Sequence, residues 1–237
     1  MMSPDPFGLV GTTIGGRYAV EALVAEGGFS IVYRARHTLW DRPVAIKAIR
    51  GFESLETESR EKLLRAFVQE GAILAELSER TTAIVQARDA ATLYTVAGDW
   101  VPYLVLEWLE GETLEEVLWA ERNLDVPPRT LAESVSLLQP IAHALALAHS
   151  KGICHRDLKP GNVVLLGDAR SASCTPKLLD FGVASFFSDA RRTLSGRRRS
   201  LPACGFTPSY AAPEQFSEAY GIAGPWTDVF ALALLVV

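Results

Sequence analysis

The octapeptide His155-Arg156-Asp157-Leu158-Lys159-Pro160-Gly161-Asn162 restricts what this chain can fold into more than any other stretch. It follows a helical run rich in Leu and Ala, Leu131 to Ser150, whose end is marked by Lys151-Gly152. It leads into a short apolar run, Asn162 to Leu166, which pairs in prospect with Lys177 to Leu179 as a small hairpin. Pro160-Gly161 forbids regular helix, so the polar side chains are displayed on a loop between a helix and a strand. On such a loop Asp157 can accept a hydroxyl proton, Lys159 can neutralise a phosphoryl group in transit, and Asn162 can offer an oxygen ligand to Mg²⁺.

Three further features gain meaning beside this loop. Asp180-Phe181-Gly182 follows the run Lys177-Leu178-Leu179, and a carboxylate there would complete an all-oxygen magnesium site with Asn162. In the strand Val44-Ala45-Ile46-Lys47-Ala48-Ile49, alternation puts Ala45, Lys47 and Ile49 on one face. Glu70 sits on the apolar face of a helix in which Leu63, Phe67, Leu74 and Leu77 recur at helical spacing. A charge on either face is costly unless paired, so Lys47 and Glu70 are expected to meet across a strand-helix interface. Taken alone, the two are better explained as an ordinary core ion pair or a lysine reaching water than as a functional pair. The third feature is a glycine hairpin, Ala25-Glu26-Gly27-Gly28-Phe29-Ser30-Ile31-Val32, whose backbone N–H groups can approach phosphate oxygens without Cβ interference.

Tyr18 to Ala25, Phe29 to His37, Pro43 to Ile49, Ile84 to Arg88 and Tyr103 to Glu107 read as strands, and helix dominates after Gly111. The 237 residues are 49% hydrophobic and 22% charged, enough for a substantial core and too ordered in composition for disorder. A net charge of −5 gives no broad electrostatic reason to expect nucleic acid as a partner. Cys154, Cys174 and Cys204 are scattered without metal-ligand spacing and suit a reducing cytoplasm. Met1 to Gly8 shows no secretory pattern. The longest uninterrupted apolar run, Val229 to Val237, is too short for a bilayer, which needs about 20 residues. No membrane contact is expected within these 237 residues.

Taken together and in this order, these motifs resemble the protein kinase signature, across nearly the whole chain. The resemblance implies an α+β, bilobal fold: an N-terminal antiparallel sheet plus one helix, then a mainly helical C-terminal lobe, here incomplete. Residues 1–17 would be an N-terminal extension, 18–106 the first lobe, 107–111 the hinge and 112–237 the second lobe. It implies ATP as phosphoryl donor, Mg²⁺ (or Mn²⁺ in its place) as the metal, and serine or threonine of proteins as acceptor. Val24, Ala25, Gly27 and Gly28 would cover the nucleotide, and Val32, Ala45 and Val164 would press on the adenine. Lys47, oriented by Glu70, would hold the α- and β-phosphates, while Glu107 and Leu109 offer hinge backbone groups beside the gatekeeper Leu106. Asp157 would be the base, assisted by Lys159, with Asn162 and Asp180 on the metal and Asp228 bracing the catalytic loop. Lys159 and Thr207-Pro208 match the serine/threonine branch, and Gly27-Gly28-Phe29 and Ala212-Pro213-Glu214-Gln215 the bacterial form.

Ala25 and Ser30 replace two glycines of the pattern, and Phe206 stands where the family usually has Gly, which bears on nucleotide and substrate seating respectively. Thr193, Ser195 and Ser200 lie among Arg191, Arg192, Arg197, Arg198 and Arg199, so residues 185–203 are read as either a solvated loop or a site of autophosphorylation, for which self-association of the chain is one route. The alternatives to a phosphotransferase are an inactive, nucleotide-binding scaffold and a small-molecule kinase. Every catalytic position being present argues against the first, and the Thr207 to Glu214 segment against the second. Because the helix near Thr227 lacks a polar face and Glu214 would need an arginine from beyond Val237, these residues alone are expected to be poorly stable.

Overall fold

Alternating small and β-branched residues build an antiparallel sheet in the first half of the molecule. The computed structural model describes residues 5–28, 30–50, 57–181 and 206–236, without the side chains of residues 57–59, 62, 63, 66, 70 and 218. It divides into two units, Met1–Glu76 with Gln86–Trp108, and Leu77–Val85 with Leu109–Val237.

The first unit holds β1 (Thr13–Ile14), β2 (Tyr18–Glu26), β3 (Ser30–His37), β4 (Arg42–Ile49), most of α1 (Thr57–Arg80), β5 (Ala87–Tyr94) and β6 (Trp100–Glu107). The sheet order is β1-β2-β3-β4-β6-β5, and every pairing is antiparallel. The pleat sorts β3 and β4 by residue parity. Ile31, Tyr33, Ala35, Val44, Ile46 and Ala48 enter one apolar core with Val101, Tyr103 and Val105 of β6. Val32, Lys47 and Leu104 line up in register on the opposite face. Against that face lies α1: a Cβ at Gly71 would stand 3.5 Å from Leu104 and 3.6 Å from Ala90.

Residues ahead of Tyr18 contribute to the unit rather than trailing from it. Phe7, Leu9 and Ile14 are buried in the same core as Ile31 and Tyr33. Asp5 ties the segment down by accepting from Tyr33 Oη at 2.6 Å, Val10 N at 2.7 Å and Phe7 N at 3.2 Å. Burial alone would raise the Asp5 pKa, but the Tyr33 hydroxyl and the two backbone donors outweigh it and hold the carboxyl below its usual 3.8. Burial and the same bond push the Tyr33 phenol up. A carboxylate with a depressed folded pKa stabilises fully above its unfolded pKa, and that stabilisation is lost as pH falls through the folded value. Asp5→Ala is therefore expected to cost about 1–2 kcal/mol near pH 7, a penalty that fades below pH ~4. Urea melts of wild type and variant between pH 7 and pH 2.5 check this; a penalty that persists at the acid end would refute it.

In the second unit, residues 83–85 pair with Leu178 rather than with the first sheet: Leu178 N donates to Ala83 O at 2.7 Å and Val85 N to Leu178 O at 3.0 Å. The strand expected at Ile84 to Arg88 is thus two things, a bridge at Ile84 in the second unit and β5, which starts only at Ala87, in the first. The second unit then holds β7 (Glu112–Thr113), α2 (Leu114–Asn123), α3 (Leu131–Ser150), β8 (Val163–Leu166), β9 (Thr175–Leu178), α4 (Pro213–Phe216) and α5 (Pro225–Val236). Both α2 and α3 open on capping boxes, Thr113 with Glu116 and Thr130 with Glu133. The small sheet runs β7-β8-β9, and its tight start demands glycine, since a Cβ at Gly111 would fall 2.3 Å from Leu165 O.

By length and composition α3 could cross a membrane. It buries Leu138, Ile141, Ala144, Leu145 and Ala148 at helical spacing and contacts β9 and α5. Among the described residues α5 buries Thr227, Asp228 and Ala231 and leaves Val229, Phe230 and Leu234 exposed, in keeping with a helix that has no polar face. Glu214 has a partner in the chain, because the Thr227 hydroxyl donates to it at 2.6 Å.

Candidate active site

Each unit carries half of the residues singled out in the sequence. In the first, the turn after β2 closes through Gly27 N donating to Ser30 O at 2.8 Å. A Cβ at Gly28 would meet nothing within 4 Å, so the chain itself does not need glycine there, and its backbone stays open to an approaching group. Val24 and Ala25 are exposed at the end of β2, and Ala25 pairs with Val32. Lys47, only 4% exposed, stands between Val32 and Leu104, with Ala45 and Leu106 as the next row on the same face. At the end of β6, Glu107 N donates to Gln86 O at 2.9 Å and Glu107 Oε1 accepts from Gln86 N at 2.8 Å. The Glu70 side chain, and with it the Lys47–Glu70 pairing, lies outside the described residues.

In the second unit the loop from His155 to Asn162 is assembled around a buried carboxylate. Asp228, 1% exposed, accepts from His155 N at 2.8 Å and Arg156 N at 2.7 Å, and pairs with His149 Nε2 at 2.7 Å. These bonds bend the backbone so that Arg156 takes a left-handed φ of 65°. His155 in turn holds the residues on either side of the loop. Its Nδ1 accepts from Asp157 N at 3.3 Å, so the ring proton sits on Nε2 and is donated to Leu179 O at 2.7 Å. The imidazole also meets Phe181 edge-on, with ring centroids 5.1 Å apart. The Cys154 thiol lies beside this cluster, where burial and the Asp228 charge push its pKa up and keep it protonated.

Asn162 connects the loop to the end of β9. Its Nδ2 donates to Asp157 O at 2.8 Å and its backbone carbonyl accepts from Leu179 N at 2.8 Å. Spending Nδ2 on the loop turns the amide oxygen the other way, and Asp180 follows Leu179 with a left-handed φ of 57°. One amide oxygen and one carboxylate brought to the same strand end are a hard, all-oxygen donor pair, which fits Mg²⁺. Asp157 Oδ1 accepts from Thr207 N at 2.8 Å and from Thr207 Oγ1 at 3.0 Å, while Lys159 Nζ reaches Asp157 Oδ2 at 3.0 Å and Thr207 Oγ1 at 2.8 Å.

The sequence reading brought Asp157, Lys159, Asn162 and Asp180 to one place and named Asp228, but missed three positioning contacts. His149 was not singled out. Gln215 Nε2 donates to Arg156 O at 2.7 Å, and Thr207 bonds directly to Asp157 from 50 residues away. Phe206, at the family's usual Gly, packs edge-on against Phe216 with centroids 5.3 Å apart. Val164 is buried on β8, and Leu109 opens the longer segment of the second unit. Gly182 and residues 185–203, including Thr193, Ser195, Ser200 and the arginines among them, lie outside the described residues.

A six-stranded antiparallel sheet with one helix, followed by a helical unit whose loop presents Asp, Lys and Asn ahead of a strand-end Asp, defines the protein kinase fold. Residues 18–237 match the protein kinase domain, and the chain belongs to that family. Among curated proteins it is similar to the serine/threonine-protein kinase PknL of Mycobacterium tuberculosis, 34% identical over 222 residues that cover 93% of this chain and 48% of the relative. It is also similar to a probable serine/threonine-protein kinase of Streptomyces coelicolor, SCO3848, 33% identical over 202 residues, 85% of this chain and 27% of the relative. The chain thus spans about half the length of PknL, or less in other curated relatives. Among solved structures, a double mutant of the PknI kinase domain of Mycobacterium tuberculosis shares the fold, with a TM-score of 0.65 at 22% identity over 96% of this chain and 73% of that one.

Proposed function

We propose that the protein carrying this chain transfers the γ-phosphoryl group of ATP to serine or threonine hydroxyls of protein substrates. The observation that carries the reading is the seat of Thr207 Oγ1, held between a carboxylate that can take a proton and an ammonium that can steady a developing negative charge. A substrate hydroxyl in the same position would give its proton to Asp157 as its oxygen forms the new O–P bond and the bond to the ADP oxygen breaks. Lys159 would neutralise charge on the moving phosphoryl group. Lys47 would hold the α- and β-phosphates with Glu70 orienting it, Gly27 and Gly28 would bring backbone N–H groups to the phosphates, and Val24, Ala25, Val32, Ala45 and Val164 would enclose the adenine beside Leu106, Glu107 and Leu109. Bound at Asn162 and Asp180, Mg²⁺ would supply charge neutralisation at the phosphates. The unshared thiols of Cys154 and Cys174 are consistent with work in a reducing cytoplasm. Incubation of the full gene product with radiolabelled ATP, Mg²⁺ and a mixture of protein substrates tests the reading; label on serine and threonine is expected, and ATP binding with no transfer would leave the scaffold alternative standing.

The same activity is proposed to act on a second copy of the chain at Thr193, Ser195 or Ser200. Mass spectrometry after incubation with Mg·ATP is expected to find phosphate within residues 185–203, at a rate rising with protein concentration. Phosphate found only elsewhere would count against it.

A further inference from the structure

In the second unit, the end of α3 and the start of α5 bring three different metal-ligating side chains together. After α3 the chain turns back on itself. Gly152 takes a left-handed φ of 75°, Gly152 N donates to His149 O at 2.9 Å, and Ile153 N donates to Ala148 O at 3.0 Å. That reversal returns Cys154 to His149, which sits in the last turn of α3. Asp228 arrives from the first turn of α5, with its Oδ2 2.7 Å from His149 Nε2. The Cys154 sulfur, a ring nitrogen of His149 and a carboxylate oxygen of Asp228 all lie within 4.8 Å of one another. The spacing of the cysteines predicts none of this, because the fold supplies the other two ligands from 5 and 74 residues away.

One sulfur, one nitrogen and one oxygen form a borderline-soft donor set. It suits Zn²⁺, which takes sulfur at about 2.3 Å and nitrogen or oxygen at about 2.0–2.2 Å, and not Mg²⁺, which favours oxygen alone. Three protein ligands with a fourth position for water is a coordination that zinc accepts. An ion can enter from the side of the two half-buried ligands. The Asp228 side chain has no exposure, whereas that of His149 keeps 15% and Cys154 is partly exposed. Tetrahedral coordination sets nitrogen and oxygen about 3.3 Å apart. His149 Nε2 and Asp228 Oδ2 are 2.7 Å apart, so an ion must open the pair. That movement is felt in the loop, because the same Oδ2 accepts from His155 N at 2.8 Å and Oδ1 accepts from Arg156 N at 2.7 Å.

We propose that His149, Cys154 and Asp228 bind one zinc-class divalent cation, whose binding displaces the loop from His155 to Asn162 and slows phosphoryl transfer. On binding, the Cys154 thiol proton leaves to solvent and the imidazole proton moves from Nε2 to Nδ1. The ion accepts the lone pairs of sulfur, nitrogen and oxygen with no change of oxidation state. The site is separate from Asn162 and Asp180, where Mg²⁺ is proposed. Its loss-of-turnover arm rests on the phosphotransferase reading; its binding arm does not.

The test uses the full-length protein and two probes, Co²⁺ and Zn²⁺. Titration with Co²⁺ is expected to give a near-ultraviolet thiolate-to-cobalt charge-transfer band that saturates at one ion per chain. The band should be lost in Cys154→Ser and Cys154→Ala, survive Cys174→Ser, and disappear when Zn²⁺ displaces the cobalt. Zn²⁺ should also slow turnover at saturating Mg·ATP. Both Cys154 variants should turn over like wild type without zinc and need about 10–100-fold more zinc for half inhibition, the range lost even with an outer-shell partner. Raising Mg²⁺ should not restore the rate. An absent band, or one unaltered in both Cys154 variants, would overturn the site. Inhibition equal in wild type and variants, or relieved by Mg²⁺, would put the inhibiting zinc elsewhere and overturn the regulation, as would zinc bound here with turnover unchanged. The cobalt band needs no turnover, so a protein that transfers no phosphate would fail the proposed function and still decide this site.

Discussion

Asp157→Asn is expected to lower the phosphotransfer rate by about 10²–10⁴-fold while changing nucleotide affinity little. The amide keeps the size of the carboxylate and can still accept from Thr207 N, which lies 2.8 Å from Asp157 Oδ1. What it loses is basicity: it cannot take the proton of a hydroxyl seated as Thr207 Oγ1 is, 3.0 Å from Asp157 Oδ1. It also loses the charge that draws Lys159 Nζ to 3.0 Å, so the lysine should become less well placed. Lys47→Met should behave differently, weakening ATP binding as well as turnover, because its proposed work is on the phosphates rather than the acceptor. The measurement is steady-state turnover together with nucleotide binding by calorimetry. An Asp157→Asn protein that turns over near the wild-type rate would remove Asp157 from the chemistry.

How far the sequence revealed this site depended on whether a residue's partner was local. The α3 boundaries, Leu131–Ser150, agree with the expectation because both ends carry their own signals, the capping box of Thr130 with Glu133 and the terminal Lys151-Gly152. The helix α2 had an equally local signal, the Thr113-x-x-Glu116 box, but its charged face obscured the apolar period and it was passed over. The β5 strand was misplaced because Ile84 and Val85 are apolar for another reason, their pairing with Leu178, 93–94 residues downstream. The same limit explains the N-terminal segment. Phe7, Leu9 and Ile14 have no period to betray them, and only the sheet face they cover shows why they are apolar. In the site itself, Asp157, Lys159 and Asn162 were legible from the loop's spacing, and Asp228 from the family resemblance. The bond from Thr207 to Asp157 and the pairing of His149 with Asp228 join residues too far apart in the chain for any spacing rule.

Asp228→Ala is expected to cost about 3–5 kcal/mol, the range for removing one partner from a buried charged network, and to abolish turnover with it. The side chain is 1% exposed, so water cannot replace it, and its loss strips the acceptor from His155 N, Arg156 N and His149 at once. Each buried donor left unsatisfied costs about 1–3 kcal/mol. Set against a typical domain stability of about 5–15 kcal/mol, such a loss is a large share of the total. The damage should extend beyond stability because the three bonds bend the loop where Arg156 holds its left-handed φ of 65°. Released from Asp228, His155 would no longer be constrained to donate to Leu179 O, and the order of Asn162 and Asp180 beside it would fall away. Graded variants separate this from a general packing defect. His149→Ala removes one of the three bonds and should cost least. Asp228→Asn keeps one oxygen but presents an NH₂ to a donor, so it should be intermediate in stability yet severe in turnover. At about 2–4 °C of melting temperature per kcal/mol for a chain of this size, the three should be distinct by calorimetry. If Asp228→Asn melted as low as Asp228→Ala yet kept wild-type turnover in its folded fraction, the carboxylate would be a packing element and the loop would owe its geometry to something else.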